Sequence, residues 1–135
     1  MDTGVNSGSQ ASVNIIRSIS LGEAEFSDIG RVVWKELRVA IFCGATLACA
    51  NFVKMLLVDK LLLGNSDVTV VVAAVVCLTL LCTVVCAKVI GCTLPLLANK
   101  VGFDPAVMAS PLITTIVDAL SLLIYFRWAT LFLHL

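Results

Sequence analysis

Charge is what this chain has least of: 13% of its 135 residues are charged, against 60% hydrophobic, and the mean hydropathy is +1.07. Those values lie well outside the range of soluble domains and mark an integral membrane protein. Nine basic residues balance nine acidic ones, so there is no net excess to mark a nucleic-acid binder or a polybasic membrane-surface protein. Histidine is nearly absent too. With His134 alone, the six cysteines (Cys43, Cys49, Cys77, Cys82, Cys86, Cys92) have no zinc-like pairing. All six fall in or beside apolar runs and read as small, buried, reduced side chains. Cys82 and Cys86 stand four apart, wider than the Cys-x-x-Cys of thiol oxidoreductases, which leaves that enzyme class as a minor alternative. The amino terminus also lacks the basic start and apolar run of a signal peptide.

What is present is a set of long apolar runs. Between Asp67 and Lys88 lie twenty uncharged residues, enough to cross a hydrocarbon core of about 30 Å as a helix. Their many valines favour a strand in water, but in lipid every backbone group must pair within the segment, so a helix is expected. A second span is predicted over Glu36 to Val58, with Lys54 snorkelling at one end and Gly44 and Ala48 forming a small-xxx-small contact. A third is predicted over Asp104 to Arg127, with Asp104 as N-cap and Pro105 in the first turn. Val5 to Ser20 is too short and too polar to cross alone and reads as a partial helix. The charged stretch that follows, with Trp34, suits the membrane surface. The fold class is therefore all-α: three complete transmembrane helices plus an N-terminal partial helix. Six basic residues (Arg17, Arg31, Lys35, Arg38, Lys88, Lys100) accompany the loops near 21–36 and 95–105, against three (Lys54, Lys60, Arg127) at the other end. This puts those loops in the cytoplasm and Leu135 outside, in the cell membrane.

Two polar stripes point to function. Along the last span Ser110, Thr114, Asp118, Ser121 and Tyr125 share one side of the helix, while Leu112, Ile116, Ala119, Leu120 and Leu123 form the other. A carboxylate at the bilayer centre costs roughly 2.5–3.5 kcal/mol on insertion scales and is seldom idle. Pro111 is expected to bend the helix and free the carbonyl of Val107. Near the amino terminus Asn6, Gln10, Asn14 and Arg17 fall on one side of a helix, while Gly4, Ser7, Gly8, Ser9 and Ser12 permit close approach of another backbone. The competing reading of this stretch is a disordered polar terminus. Asp118 with hydroxyl and amide neighbours offers hard oxygen ligands, which suit magnesium or calcium. The bland alternative is that Asp118 pairs with Lys88 and only locks helices together.

These residues resemble the membrane domain of the MgtE-type magnesium transporters and channels and their animal solute-carrier relatives. DTGVNSGSQAS…IIRSISLGE is similar to the family's second membrane helix, WKELRVAIFCG to the start of its third, and GCTLPLLANKVGFDPAVMASPLITTIVDALSLLIYF to its last two. The resemblance implies a homodimer, embedded in membrane lipid, whose pore is lined by the second and fifth helices of each subunit. On that basis Asp118 holds hydrated Mg2+, with Ser110 and Thr114 beside it, and Asn6, Gln10, Asn14 and Ser121 line the pore. Ser110 stands where some members carry a pore-facing asparagine, and Lys88 where many are uncharged. Residues 1–135 are then an N-terminally truncated pore domain without the cytoplasmic sensing region, Met1 an internal methionine, and conduction by the chain alone is expected to be poor. The implied function is magnesium transport, without an enzymatic role and with no nucleic-acid partner. The alternatives are a proton-coupled small-molecule antiporter subunit, which usually surrounds its carboxylate with aromatics, and a non-transporting assembly subunit.

Overall fold

A computed structural model describes residues 2–62, 64, 69–108 and 110–133, with the side chains of Met108 and Ser110 outside that description. The described elements are helical throughout: α1 (Asp2–Ser20), a 3-10 turn (Phe26–Asp28), α2 (Ile29–Lys54) running into a π-helix (Met55–Leu62), α3 (Val70–Val101), a second 3-10 turn (Pro105–Met108) and α4 (Ser110–Leu133). Three helical stretches, Phe26–Leu62, Val70–Val101 and Pro111–Leu133, are long and apolar enough to cross a membrane. This is an integral membrane protein of the expected all-α class.

α3 is the central post. It spans 32 residues, about 48 Å, and each of the other three helices packs against it. The hydroxyl of Thr69 caps its start by accepting the Val72 N–H at 3.3 Å. Gly102 ends it with φ +92, a left-handed conformation that lets the N–H groups of Gly102 and Phe103 reach back to Asn99 and Ala98. α1 stops in the same way at Gly22, φ +71, with Glu23 N–H donating to Ser18. α1 runs parallel to α3, from Gly4 beside Thr83 to Ile15 packed on Cys92 and Leu96. α2 runs antiparallel, with Gly44 against Leu81 and the Cys77 thiol donating to the Ala48 carbonyl at 3.2 Å. The expected Gly44/Ala48 contact face is therefore the α2–α3 seam.

Several boundaries differ from the sequence reading. Residues 95–101 of the expected 95–105 loop lie inside a helix: α3 carries buried Pro95 in its interior and continues to Val101. Proline is tolerated there because neighbouring helices can satisfy or shield the Gly91 carbonyl it releases. Asp104 caps the short Pro105–Met108 turn, accepting the Ala106 N–H at 3.0 Å, and α4 begins afresh at Ser110. Pro111 therefore lies in the first turn of α4, where its missing N–H leaves no bond broken, and it does not bend the helix. Residues 29–36, expected as part of a 21–36 loop, belong to α2. Beyond Lys54 the i→i+5 register of the π-helix brings Asp59 under Lys54, 2.8 Å apart. Cys43 and Cys49 are exposed on α2 where burial was expected, and all six thiols are free.

The 21–28 connection and the end of α3 meet: the Lys100 ammonium lies 4.0 Å over the Phe26 ring, while Ala24 packs with Cys92 and Leu96. One end of the bundle thus holds both segments assigned to the cytoplasm; Leu135 lies outside the described residues. In a cysteine-free background, a single cysteine near Gly64 is expected to react with an impermeant maleimide added outside, and one at Gly30 only after permeabilisation. The reverse pattern would invert the topology.

Candidate cation site and its surroundings

The site is assembled where α1 crosses α3 and α4. The crossing depends on glycine: a Cβ on Gly91 would run into the backbone of Gly8, and one on Gly8 would stand 2.9 Å from the Ala87 carbonyl and 3.1 Å from Ile113. Gly4, Gly8, Ala11, Ser12 and Ile15 form the buried face of α1. Ile113 and Val117, fully buried with Ala87, receive Val5 from the α4 side. This packing fixes the rotation of both helices. Asn6, Gln10, Asn14 and Arg17 are all exposed on the opposite face of α1, as the stripe predicted. Asn6, Ser9, Gln10, Val13 and Asn14 wall an open concavity of ≈ 580 Å³.

Asp118 and Thr114 each sit one residue beyond the buried pair Ile113 and Val117, and both are half-buried. Among the described residues no hydrogen bond or ion pair reaches the Asp118 carboxylate. Lys88, the rival partner, is engaged elsewhere: its ammonium lies 3.3 Å from Glu36 Oε2, with the two side chains 8% and 12% exposed. That pair joins α3 to α2. The sequence left Lys88 without a partner because Glu36 is 52 residues away; their only shared signal is that both lie toward the same end of their helices. Lys88→Met is expected to destabilise the fold by about 3–5 kcal/mol by leaving Glu36 buried and unpaired. Glu36→Gln added to it should recover much of the loss, whereas Asp118→Asn should recover none; equal rescue by both would mean that Lys88 serves both carboxylates.

The remaining stripe residues separate. Ser121 is 1% exposed and its hydroxyl donates to the Val117 carbonyl at 2.6 Å. With Tyr125 it faces a different space, a cavity of ≈ 310 Å³ at the start of α1 that Thr3, Asn51, Thr79 and Thr83 also line. Asn51, Thr79 and Thr83 were not singled out from the sequence, where each is a lone polar residue in an apolar run. The Ser110 side chain lies outside the described residues. The two polar stripes do not close on each other within one subunit: Asp118 is not among the residues walling the α1 concavity. Nor does any group of three or more His, Cys, Asp or Glu side chains converge among the described residues. One chain brings one membrane-embedded carboxylate to this region.

A sequence model of the MgtE family, described as "Divalent cation transporter", matches residues 1–128. The chain belongs to the MgtE family. It is 37% identical over 129 residues to the magnesium transporter MgtE of Bacillus subtilis, a match covering 96% of this chain and 27% of that protein. It is also 35% identical over 134 residues to the magnesium transporter MgtE of Thermus thermophilus, covering 99% and 28% respectively. The chain thus spans little more than a quarter of the length of the MgtE relatives it matches.

Proposed function

We propose that this MgtE-family chain contributes the pore-lining part of a magnesium transport protein, as a homodimer in the cell membrane, with Asp118 of each subunit holding the ion through its own waters. The observation that carries this is the condition of Asp118. It is a half-buried carboxylate in a membrane helix, with Lys88 already paired to Glu36 and no other ion-pair partner among the described residues. Such a group is stabilised by a cation, and a carboxylate oxygen favours a hard one. Magnesium sheds water reluctantly, so two carboxylates facing a hydrated ion suit it better than a closed cage. The exposed amides of Asn6, Gln10 and Asn14 support the dimer, because polar side chains at membrane depth belong on a water-filled path and not against lipid. Thr114 stands beside Asp118; Ser110 keeps its assignment from the resemblance to the family. Ser121 contributes from the ≈ 310 Å³ cavity one turn away. Transport, and not catalysis, is the role these features support. Replacing the matching stretch of the Bacillus subtilis relative with this chain should preserve magnesium uptake in a magnesium-starved host; a folded chimera that takes up none would count against the assignment.

A further inference from the structure

At the 21–28 end of the bundle the charges are sorted by element: Glu23, Glu25 and Asp28 lie in the connection, while Arg31, Lys35 and Arg38 gather along α2. Of the basic residues there, Lys88 is paired with Glu36 and Lys100 lies over Phe26. Arg17, Arg31, Lys35 and Arg38 have no ion-pair partner among the described residues. Arg31, Lys35, Arg38 and Phe42 follow one another at intervals of four, three and four residues, so they form one stripe along α2. Two concavities share Lys35 as their common wall. One, ≈ 490 Å³, is the polar one and reaches across to α1, with Asn14, Arg17, Ser18, Glu23 and Glu36 on its walls. The other, ≈ 390 Å³, continues down α2 between Lys35, Arg38, Val39, Phe42 and Cys43. Glu36 is neutralised by Lys88, which leaves Glu23 as the one unpaired carboxylate facing two cations in the polar space. Below it, Phe42 is 76% exposed and Val39 40% exposed, an apolar lane that begins where the charges stop.

We infer that this stripe is a binding site for one anionic phospholipid, its phosphate held by Lys35 and Arg38 with Arg17 across the polar space, and one acyl chain lying along Val39 and Phe42. The order of chemistry along α2, cations at the interface and then exposed apolar side chains toward the membrane interior, matches the order of groups in such a lipid. A soluble anion would use only the upper half of this surface. Bound there, the lipid would bridge the end of α1 to α2, two helices that the described contacts join chiefly through α3 and the 21–28 connection.

The test is native mass spectrometry of the chain released from micelles containing equal amounts of phosphatidylglycerol and phosphatidylethanolamine. The wild type is expected to retain phosphatidylglycerol about fivefold or more over phosphatidylethanolamine. Lys35→Gln with Arg38→Gln should bring the two lipids to near parity, while Lys54→Gln with Lys60→Gln, at the other end, should keep the preference. These side chains are exposed, and helicity is checked by circular dichroism; if the double variant does not fold, Arg38→Gln alone carries the test. No preference in the wild type, or equal loss in both double variants, would overturn the site. Loss of bound phosphatidylglycerol on adding excess glycerol phosphate would identify a free phosphate as the ligand and overturn the lipid assignment.

Discussion

Asp118→Asn, made in the Bacillus subtilis chimera, is expected to reduce magnesium uptake by about 100-fold, the upper range for losing one interaction of a metal site, while the protein still folds. Asparagine keeps the shape and removes the charge. If the carboxylate holds a hydrated divalent ion, that charge is the main attraction, since a water-mediated contact has little else to offer. Folding should survive because no described side chain depends on Asp118: Lys88 is satisfied by Glu36 at 3.3 Å. The unfolding midpoint without magnesium should therefore match or exceed that of the unsubstituted chimera, because an uncompensated membrane charge has been removed. Uptake at the unsubstituted rate would mean that the ion path does not use this group. Loss of fold would mean that Asp118 is a structural residue after all.

Gly91→Ala is expected to cost stability in the range of about 1–3 kcal/mol, and Gly91→Val to prevent α1 from docking. The reason is what the new methyl would meet. At Gly44 an added Cβ meets the tip of Leu81, 2.6 Å away, which can rotate aside; at Gly91 it meets the backbone of Gly8, which cannot. Two helices would have to separate along their seam, and the rotation that sets Asn6 and Asn14 on the open face of α1 would be lost. Thermal unfolding and protease cleavage within α1 would report this. Gly30 is the control, because a Cβ there meets nothing within 4 Å and alanine favours the helix. Wild-type stability in Gly91→Ala would contradict the crossing.

Much of this was legible because lipid simplifies the problem: uncharged runs must be helices, and the runs here are long. The face of α1 was legible in part: of the small residues the structure buries Gly4, Gly8 and Ser12, and it exposes the amides Asn6, Gln10 and Asn14, while Ser9 walls the open concavity beside them. What escaped were features decided by tertiary contact. Pro95 suggests a loop when only local propensity is considered, yet it lies buried in α3, whose neighbours surround it. Asp104-Pro105 has the chemistry of a helix start and does start one, but a 3-10 turn, because the backbone restarts at Ser110. Cys43 and Cys49 look like core residues by type; they are exposed because the outer face of a membrane helix meets lipid and tolerates small apolar groups. The tie between Lys88 and Glu36 needed the antiparallel register of α2 on α3, which no local pattern encodes. The two polar stripes face different spaces within the chain, Ser121 and Tyr125 on one cavity and Asn6, Gln10 and Asn14 on another, because the packing of Gly4 and Gly8 on α3 and α4 sets the rotation of α1.

The central claim is that Asp118 binds magnesium, and the most direct measurement is thermal unfolding of the solubilised chain titrated with Mg2+, beside Asp118→Asn. A ligand at one hundred times its dissociation constant stabilises the folded state by about 2.7 kcal/mol, so the wild-type midpoint should climb with concentration. The midpoint of the variant should stay flat over the same range. An equal magnesium-dependent rise in both would place the ion elsewhere and contradict the account.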